Sequence, residues 1–573
     1  MFMKTVPLKC LFLTFSFVFS SLFFPFIAIS QVDFQWAIAT TGYGSGYITA
    51  TGLIQDNEQN LCVFGNFQGI VDFDPGEGEV ILSSNLGSNQ YISKYDTIGN
   101  LLWVLSFGAD NTTQSNSFSI DPQGNLYLSG YFNGNMDADP GPGVYMLTSQ
   151  GLSDIYLIKL DKDGNFIMAV SIGGSTLEYE SCVYATDSGE VFIAGTFHGT
   201  VDFDPGPGND IHTAQDSDGF ICKYDSAGNY CWVKCIEGPG EVVFSCITSD
   251  LSGNLHIGGW FEGTSDFDAG EGVYNMTDEG YGDNFILNIT PDGSFIKAAC
   301  YGGVADNHLK DIKTDNSGAV YLVGNFNYQT DFCPGPEVFM VQTVGFVDAY
   351  MLKLNNEYQF EWVYPFGGED LDDCASVWLD ENNDIYLTGV FYYSVDFDAG
   401  PGEFIVESWG DGDNYLLKIN SAGEFEWVVT GGNADGDYGI SLIQDDSGNI
   451  FQLGIFSGSM DFDPGEGEYI LECTSQNDIF IRKFSQSVTT KINHPTPANP
   501  VKCYPNPASE FIFIYTDKPS DVGIYNSTGA LVLQTKTVVG INQISVSELA
   551  AGNYYISTRE TNQMSASKLI IQR

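Results

Sequence analysis

Two aspartates one residue apart, followed by a Pro-Gly or Ala-Gly turn, are the residues here whose types and spacing could do chemistry. The phrase reads DFDPGEG from Asp72, DADPGPG from Asp137, DFDPGPG from Asp202 and DFDAGEG from Asp266. It returns as DFCPGPE from Asp331, DFDAGPG from Asp396 and DFDPGEG from Asp461. Six copies keep both acids: Asp72 and Asp74, Asp137 and Asp139, Asp202 and Asp204, Asp266 and Asp268, Asp396 and Asp398, Asp461 and Asp463. Paired carboxylates beside loop carbonyls are the hard oxygen donors that calcium prefers. The longer Asp series and closing Glu of an EF-hand are missing. The Asp331 copy, with Cys333 in second place, should be the weakest site. A structural reading of the same residues takes precedence. In it Pro-Gly makes the turn, the Phe tucks inward, and each Asp accepts loop N–H groups.

Successive copies start 65, 65, 64, 65, 65 and 65 residues apart, so the chain is a tandem array of seven units. Each unit parses alike. In the third, residues 181–186, 190–197, 218–224 and 229–236 read as four short antiparallel strands, and the acidic phrase joins the second to the third. The second strand is apolar throughout, as expected of a sheet packed on both faces. A glycine recurs within it at 65, 130, 195, 259, 324, 389 and 454. Such a strand-interior glycine points to close backbone approach, expected where blades converge on an axis. A lysine marks the third strand at 94, 159, 223, 353, 418 and 483, with Asn288 in the remaining copy.

The ends of the array decide its topology. Fourth strands fall around Trp103, Met168, Trp232, Lys297, Trp362 and Trp427, which is six for seven units. The missing one is residues 33–38, ahead of the first unit, while the last unit stops after residues 478–484. The leading strand must pair with the last sheet, which removes two exposed edges. The expectation is an all-β chain: a seven-bladed β-propeller closed by an N-terminal strand over residues 31–485, then a small β-sandwich. The blades resemble a bacterial seven-bladed propeller repeat family. Asp154 to Asp161 with Gly164-Asn165, Gly173-Gly174 and residues 121–130 (DPQGNLYLSG) carry that resemblance. It speaks to fold and hardly to function.

Residues 1–30 read as a secretory signal peptide. Lys4 and Lys9 precede an apolar run, and small residues before Gln31 place cleavage between Ser30 and Gln31. Net charge is −53, which disfavours nucleic acid and anionic membrane surfaces. All seven phrases should emerge on one acidic face, joined by Glu178, Glu180, Asp370, Asp372, Asp373, Asp435 and Asp437. The twelve cysteines do not follow the repeat. A regular turn at 225–228 would set Cys222 opposite Cys231 for a cross-strand disulfide, a geometry that is often too tight. His198, His212, His256 and His308 are expected in different blades without metal-ligand spacing. No catalytic residues stand out. Trp409 and His212 interrupt the repeat and are the candidate glycan or peptide contacts.

Residues 486–500 form a polar, Pro-bearing linker. Beyond it, 510–516, the hairpin 522–533, 545–557 and 568–572 read as strands of a sandwich. Tyr504-Pro505-Asn506-Pro507, a hairpin turning through Gly529, the Gly552-x-Tyr554 strand entry and a closing Lys568 closely resemble the C-terminal sorting domain of type IX secretion cargo. That resemblance implies residues 501–573 are handled by the type IX machinery, at the outer-membrane surface of a Gram-negative bacterium. The preferred function is then a monomeric, non-catalytic binding or adhesion module with an acidic face for glycan, peptide or cation. The alternative is a secreted hydrolase or lyase acting on extracellular polymer.

Overall fold

The computed structural model describes residues 32–84, 87–465, 467–486, 503–504, 508, 511–516, 518, 521–526, 531–550, 552–560 and 563–571. Every regular element among them is a strand, and the chain divides into two compact units, Met1–Gln486 and Ser487–Arg573. The predicted signal peptide, with Ser30 and Gln31, and the linker from residue 487 lie outside the described residues.

The first unit carries four-stranded antiparallel sheets in chain order. In the third, Glu178–Ala185, Val191–Asp202, Ile211–Tyr224 and Tyr230–Ile236 pair consecutively. The first sheet opens with Thr41–Gln55 and ends with Leu101–Phe107; the second runs from Thr113–Ile120 to Phe166–Gly174. The fourth runs from Val242–Ser249 to Phe295–Gly303, the fifth from Asn307–Thr314 to Phe360–Phe366, the sixth from Asp373–Leu379 to Phe425–Gly431. The seventh has Tyr438–Gln444, Ile450–Phe456 and Asp478–Gln486, and its fourth strand is Val32–Ala39. Trp36 lies opposite Lys483 and Ala39 opposite Phe480. The architecture is all-β with propeller-like repeats.

Second strands are apolar because both their faces are covered. Residues 191–197 (VFIAGTF) are all buried. First strands of successive sheets touch one another, and the first strand of the seventh also touches Thr41–Gln55. Fourth-strand side chains pack on the turn that precedes the fourth strand of the next sheet. A Cβ built at Gly164 would lie 3.7 Å from Trp103, and one at Gly423 would lie 3.2 Å from Trp362. The same contact joins the seventh sheet to the first, where a Cβ at Gly99 would lie 2.8 Å from Ile38 and 3.6 Å from Trp36. Lysines of the third strands reach the same turns: Lys94 donates to the Lys162 carbonyl at 2.9 Å and Lys159 to that of Ser226 at 3.0 Å.

The second-strand glycines have a different cause from the one expected. The first strand bulges opposite each of them, as between Ala50 and Gly52 in the first sheet. A Cβ at Gly65 would fall 2.0 Å from the Thr49 carbonyl, and at Gly389 it would fall 1.9 Å from that of Asp373. The close approach is therefore inside one sheet, at a bulge, rather than between converging blades.

Among its described residues the second unit has two sheets. Cys503–Tyr504, Phe511–Thr516 and Gly540–Ser545 form one; Leu531–Lys536, Asp521–Asn526, Gly552–Glu560 and Gln563–Ile571 form the other. Ile512, Ile514, Val522, Ile524, Ile544 and Ile556 share its core. Within residues 545–557 one strand ends at Ser545 and another begins at Gly552, with Val546 and Leu549 in the core between them.

Replacing Trp36 by Ala should cost about 2 kcal/mol or more in urea unfolding, similar to Trp362→Ala at an internal seam. A cost near zero at Trp36 beside a large one at Trp362 would mean that the leading strand does not complete the last sheet in solution.

Candidate functional site

The acidic phrase is the tip of a hairpin that extends the second and third strands. In the third sheet the arms are continuous with those strands, and Asp202 lies opposite Ile211. In the second sheet they form a separate ribbon, Asn135–Asp137 against Met146–Thr148. The first Asp staples the tip. Asp72 Oδ1 accepts the N–H of Asp74 at 3.1 Å and of Val80 at 2.8 Å, and Asp396 Oδ1 those of Asp398 at 3.0 Å and Phe404 at 2.8 Å. Asp137, Asp202, Asp266, Asp331 and Asp461 repeat the pair. The second Asp holds the turn: the Gly76 N–H reaches Asp74 Oδ1 at 2.9 Å and the Gly206 N–H reaches Asp204 Oδ1 at 2.8 Å. Asp139, Asp268, Asp398 and Asp463 do likewise. The residue between them, Phe in six copies and Ala138 in one, is buried in each.

These bonds also explain the last glycine of the phrase. A Cβ added at Gly78, Gly143, Gly208, Gly272, Gly402 or Gly467 would come within 2.0 to 2.3 Å of Oδ2 of the second Asp. The one copy without that Asp, at Cys333, is also the copy with Glu337 in place of the glycine. The two departures belong together, because without the carboxylate the space is free for a side chain. One oxygen of each acid is already committed to backbone N–H groups. Among the described residues no three His, Cys, Asp or Glu side chains gather as a metal-holding group.

The expected acidic face needs correction. Glu178, Asp372 and Asp437 are buried at the junctions between sheets. Glu178 Oε2 accepts the Gly174 N–H at 3.0 Å. Asp372 accepts those of Gly368 at 2.6 Å and Tyr392 at 2.9 Å, and Asp437 those of Asn433 at 2.8 Å and Ser457 at 3.1 Å. Burial pushes all three up to about 7. They cap connections and present no charge to solvent.

Cys222 lies opposite Val233, not Cys231, because the turn closes Asp225 on Asn229 and Cys231 is then bulged out of the pairing, each shifting the register by one. Cys222 is buried and Cys231 exposed, and ten cysteines of the described residues are free thiols. His198 and His212 share the third sheet, contrary to expectation, on the paired strands Val191–Asp202 and Ile211–Tyr224. His198 meets the Leu177 carbonyl at 2.9 Å, whereas His212 Nε2 lies 3.1 Å from Asp210 Oδ1. His256 is buried against the Tyr358 hydroxyl at 2.9 Å, and desolvation pushes it down to about 4. Trp409 stands 81% exposed in the connection between Ile405–Glu407 and Asp413–Ile419 of the sixth repeat, whereas His212 belongs to the third sheet.

In the second unit, Tyr554 is buried, Gly552 begins a strand that Lys568 pairs across at Tyr555, and Tyr504 lies opposite Phe513. Pro505, Asn506, Pro507 and Gly529 lie outside the described residues. Residues 502–572 match the secretion system C-terminal sorting domain family. The chain carries a type IX secretion sorting domain. It is a secreted or outer-membrane surface protein of a Gram-negative bacterium. An uncharacterized WD repeat-containing protein of Acanthamoeba polyphaga mimivirus is 23% identical over 215 residues, 33% of this chain and 15% of that protein's length. Among solved structures, Sqt1 from Chaetomium thermophilum matches with a TM-score of 0.37 and 8% identity, covering 80% of this chain and 100% of that one. PorZ, a surface component of the type IX secretion system of Porphyromonas gingivalis, matches with a TM-score of 0.17 and 11% identity, covering 94% and 100%.

Two outcomes follow. Cys333→Asp alone should destabilise the chain by about 1–2 kcal/mol, since Glu337 occupies the space the new carboxylate needs. Adding Glu337→Gly should restore stability, and equal unfolding midpoints for the single and double variants would refute the steric coupling. The three buried acids set a pH dependence. Unfolded, they ionise near pH 4; folded, they hold their protons up to about 7. The folded chain then binds more protons in that window, so stability falls as pH rises through it and levels off above. Tm should be lower at pH 8 than at pH 5, and Asp437→Asn, uncharged at both, should reduce the difference.

Proposed function

We propose that the seven sheets close into a seven-bladed propeller spanning residues 31–485, and that this propeller works outside the cell as a non-catalytic binding module. In this reading residues 1–30 are removed as a signal peptide between Ser30 and Gln31, residues 486–500 are a linker, and residues 501–573 direct export. The pairing of Val32–Ala39 with Asp478–Gln486 and the contact between Tyr438–Gln444 and Thr41–Gln55 support closure. The observation that carries the functional part is the sorting-domain match at residues 502–572, behind a repeat whose recurring carboxylates are engaged in holding its own hairpins. A scaffold so braced keeps its surface loops in fixed relation, which suits recognition. Phosphate-rich polymers are poor partners for a chain of net charge −53.

Deleting Val501–Arg573 should leave the first unit in the periplasm, measured by surface protease accessibility and fractionation. Undiminished surface delivery would overturn the export part. A panel of hydrolase and lyase substrates run on the full chain separates binder from enzyme, and turnover of any polymer would replace the binding reading.

A further inference from the structure

We infer that a groove between the second and third sheets is a binding site for a neutral oligosaccharide; the inference deepens the binding-module reading and rests on it. The groove has a volume of ≈560 Å³, within the range of small-ligand sites. One wall comes from the second sheet, with Tyr145, Gln150 and Ser171; the other comes from the third, with the hairpin tip around Asp204 and the turn carrying Asn229 and Tyr230.

The repeat itself marks this place as unusual. Eight residues after the first Asp of each phrase, the hairpin's return arm carries an apolar side chain in six copies. In five of them it is an aromatic ring laid on the aromatic that opens the fourth strand. Tyr145 meets Phe166 at 5.0 Å, Tyr274 meets Phe295 at 5.1 Å and Phe339 meets Phe360 at 4.6 Å. Phe404 meets Phe425 at 4.9 Å and Tyr469 meets Phe34 at 5.2 Å. The third sheet alone has an acid there. Asp210 accepts the phenol of Tyr230 through Oδ2 and faces His212 Nε2 through Oδ1. A polar group has replaced a packing pair that the other sheets use, and its tyrosine lines the groove.

The lining has the chemistry of sugar recognition. Tyr145 is 44% exposed and Tyr230 part-buried, so each combines an apolar ring with a polar tip. Asp204 spends Oδ1 on the Gly206 N–H, which leaves Oδ2 to accept from hydroxyl pairs. Gln150 adds an exposed amide, and Asn229, whose Nδ2 donates to Asp225 Oδ2 at 2.8 Å, adds its side-chain carbonyl. The lining includes one carboxylate and no cation, so a neutral glycan is favoured over uronic or sulfated chains.

The test uses the full-length secreted chain and calorimetry with neutral linear hexasaccharides of β-1,4-glucan, α-1,4-glucan, β-1,4-xylan and β-1,4-mannan. A polygalacturonate oligomer and a Lys-rich peptide serve as comparisons. At least one neutral hexasaccharide should bind, and Tyr145→Ala should weaken it about tenfold or more, a loss of about 1.4 kcal/mol. Tyr274→Ala removes the equivalent ring of the fourth sheet. It should change Tm as Tyr145→Ala does while leaving affinity unchanged. Equal binding losses in the two variants, or preference for the anionic oligomer or the basic peptide, would overturn the proposal. Saccharide binding that survives Tyr145→Ala would sink the groove and leave the binding module standing; no binding by any probe would count against both.

Discussion

A sheet with an open edge offers a row of unpaired N–H and C=O groups to the next chain that passes, and a tandem array made of sheets has to deal with that edge at both ends. Here the chain deals with it by placing one strand out of order. Val32–Ala39 enters the seventh sheet beside Asp478–Gln486, so the first strand made and the last one of the unit lie together. The pairing is long-range, and it is reinforced by contacts of the kind found between internal sheets. Trp36 and Ile38 pack on the Gly99 turn as Trp103 and Leu105 pack on the Gly164 turn. Asn477 also exchanges hydrogen bonds with the Ile48 backbone, at 3.2 Å to its N–H and 3.0 Å to its carbonyl. The remaining geometry follows from this: hairpin tips keep their positions only while the sheets that carry them are held side by side.

The acidity of the chain has an internal use that a charge count hides. Asp residues brace the turns before the fourth strands: Asp161 takes the N–H groups of Asp163 at 2.9 Å and Asn165 at 2.8 Å, and bonds the Asn165 amide as well. Others brace the hairpin tips, and a third set, including Asp372 and Asp437, caps connections between sheets. A carboxylate accepting two N–H groups does the work that a longer loop would otherwise need backbone pairing to do. That work accounts for Asp positions recurring so strictly at the repeat period.

Much of this was legible in the residues. A period near 65, six fourth strands for seven units, and a spare strand at the front are counting arguments, and the described pairing at Trp36 and Lys483 agrees with them. What counting could not reach was anything that depends on a bulge. A turn that closes Asp225 on Asn229, and Cys231 bulged out between the partners of Lys223 and Tyr224, together move Cys222 two places, from Cys231 to Val233, and a bulge in each first strand, not a shared axis, demands the second-strand glycine. Burial was equally hidden. Glu178, Asp372 and Asp437 look like surface acids in a polar connection, and only the fold shows that each points back at the N–H groups of its own turn. The linked change at Cys333 and Glu337 was visible as two letters, but its cause is a clash: in the sister copies a Cβ at the last glycine would lie 2.0 to 2.3 Å from Oδ2 of the second Asp.

The same redundancy that fixes the fold also leaves room for one sheet to differ. In five sheets the return arm lies over the outer strand through an aromatic pair, which shields the edge from solvent and from other strands. Six sheets keep an apolar residue at that place, and the third keeps the arm in position by other means: the Tyr230 phenol on Asp210, together with Phe203 packed T-shaped on His212 at 5.9 Å. Because Asp202 still staples the tip through the N–H groups of Asp204 and Asp210, the exchange of packing for polarity does not open the hairpin. A repeat protein can therefore alter one position of one unit while the other units carry the architecture. The altered unit is the one whose hairpin tip borders the groove, so the departure from the repeat and the space for a ligand occur at the same place.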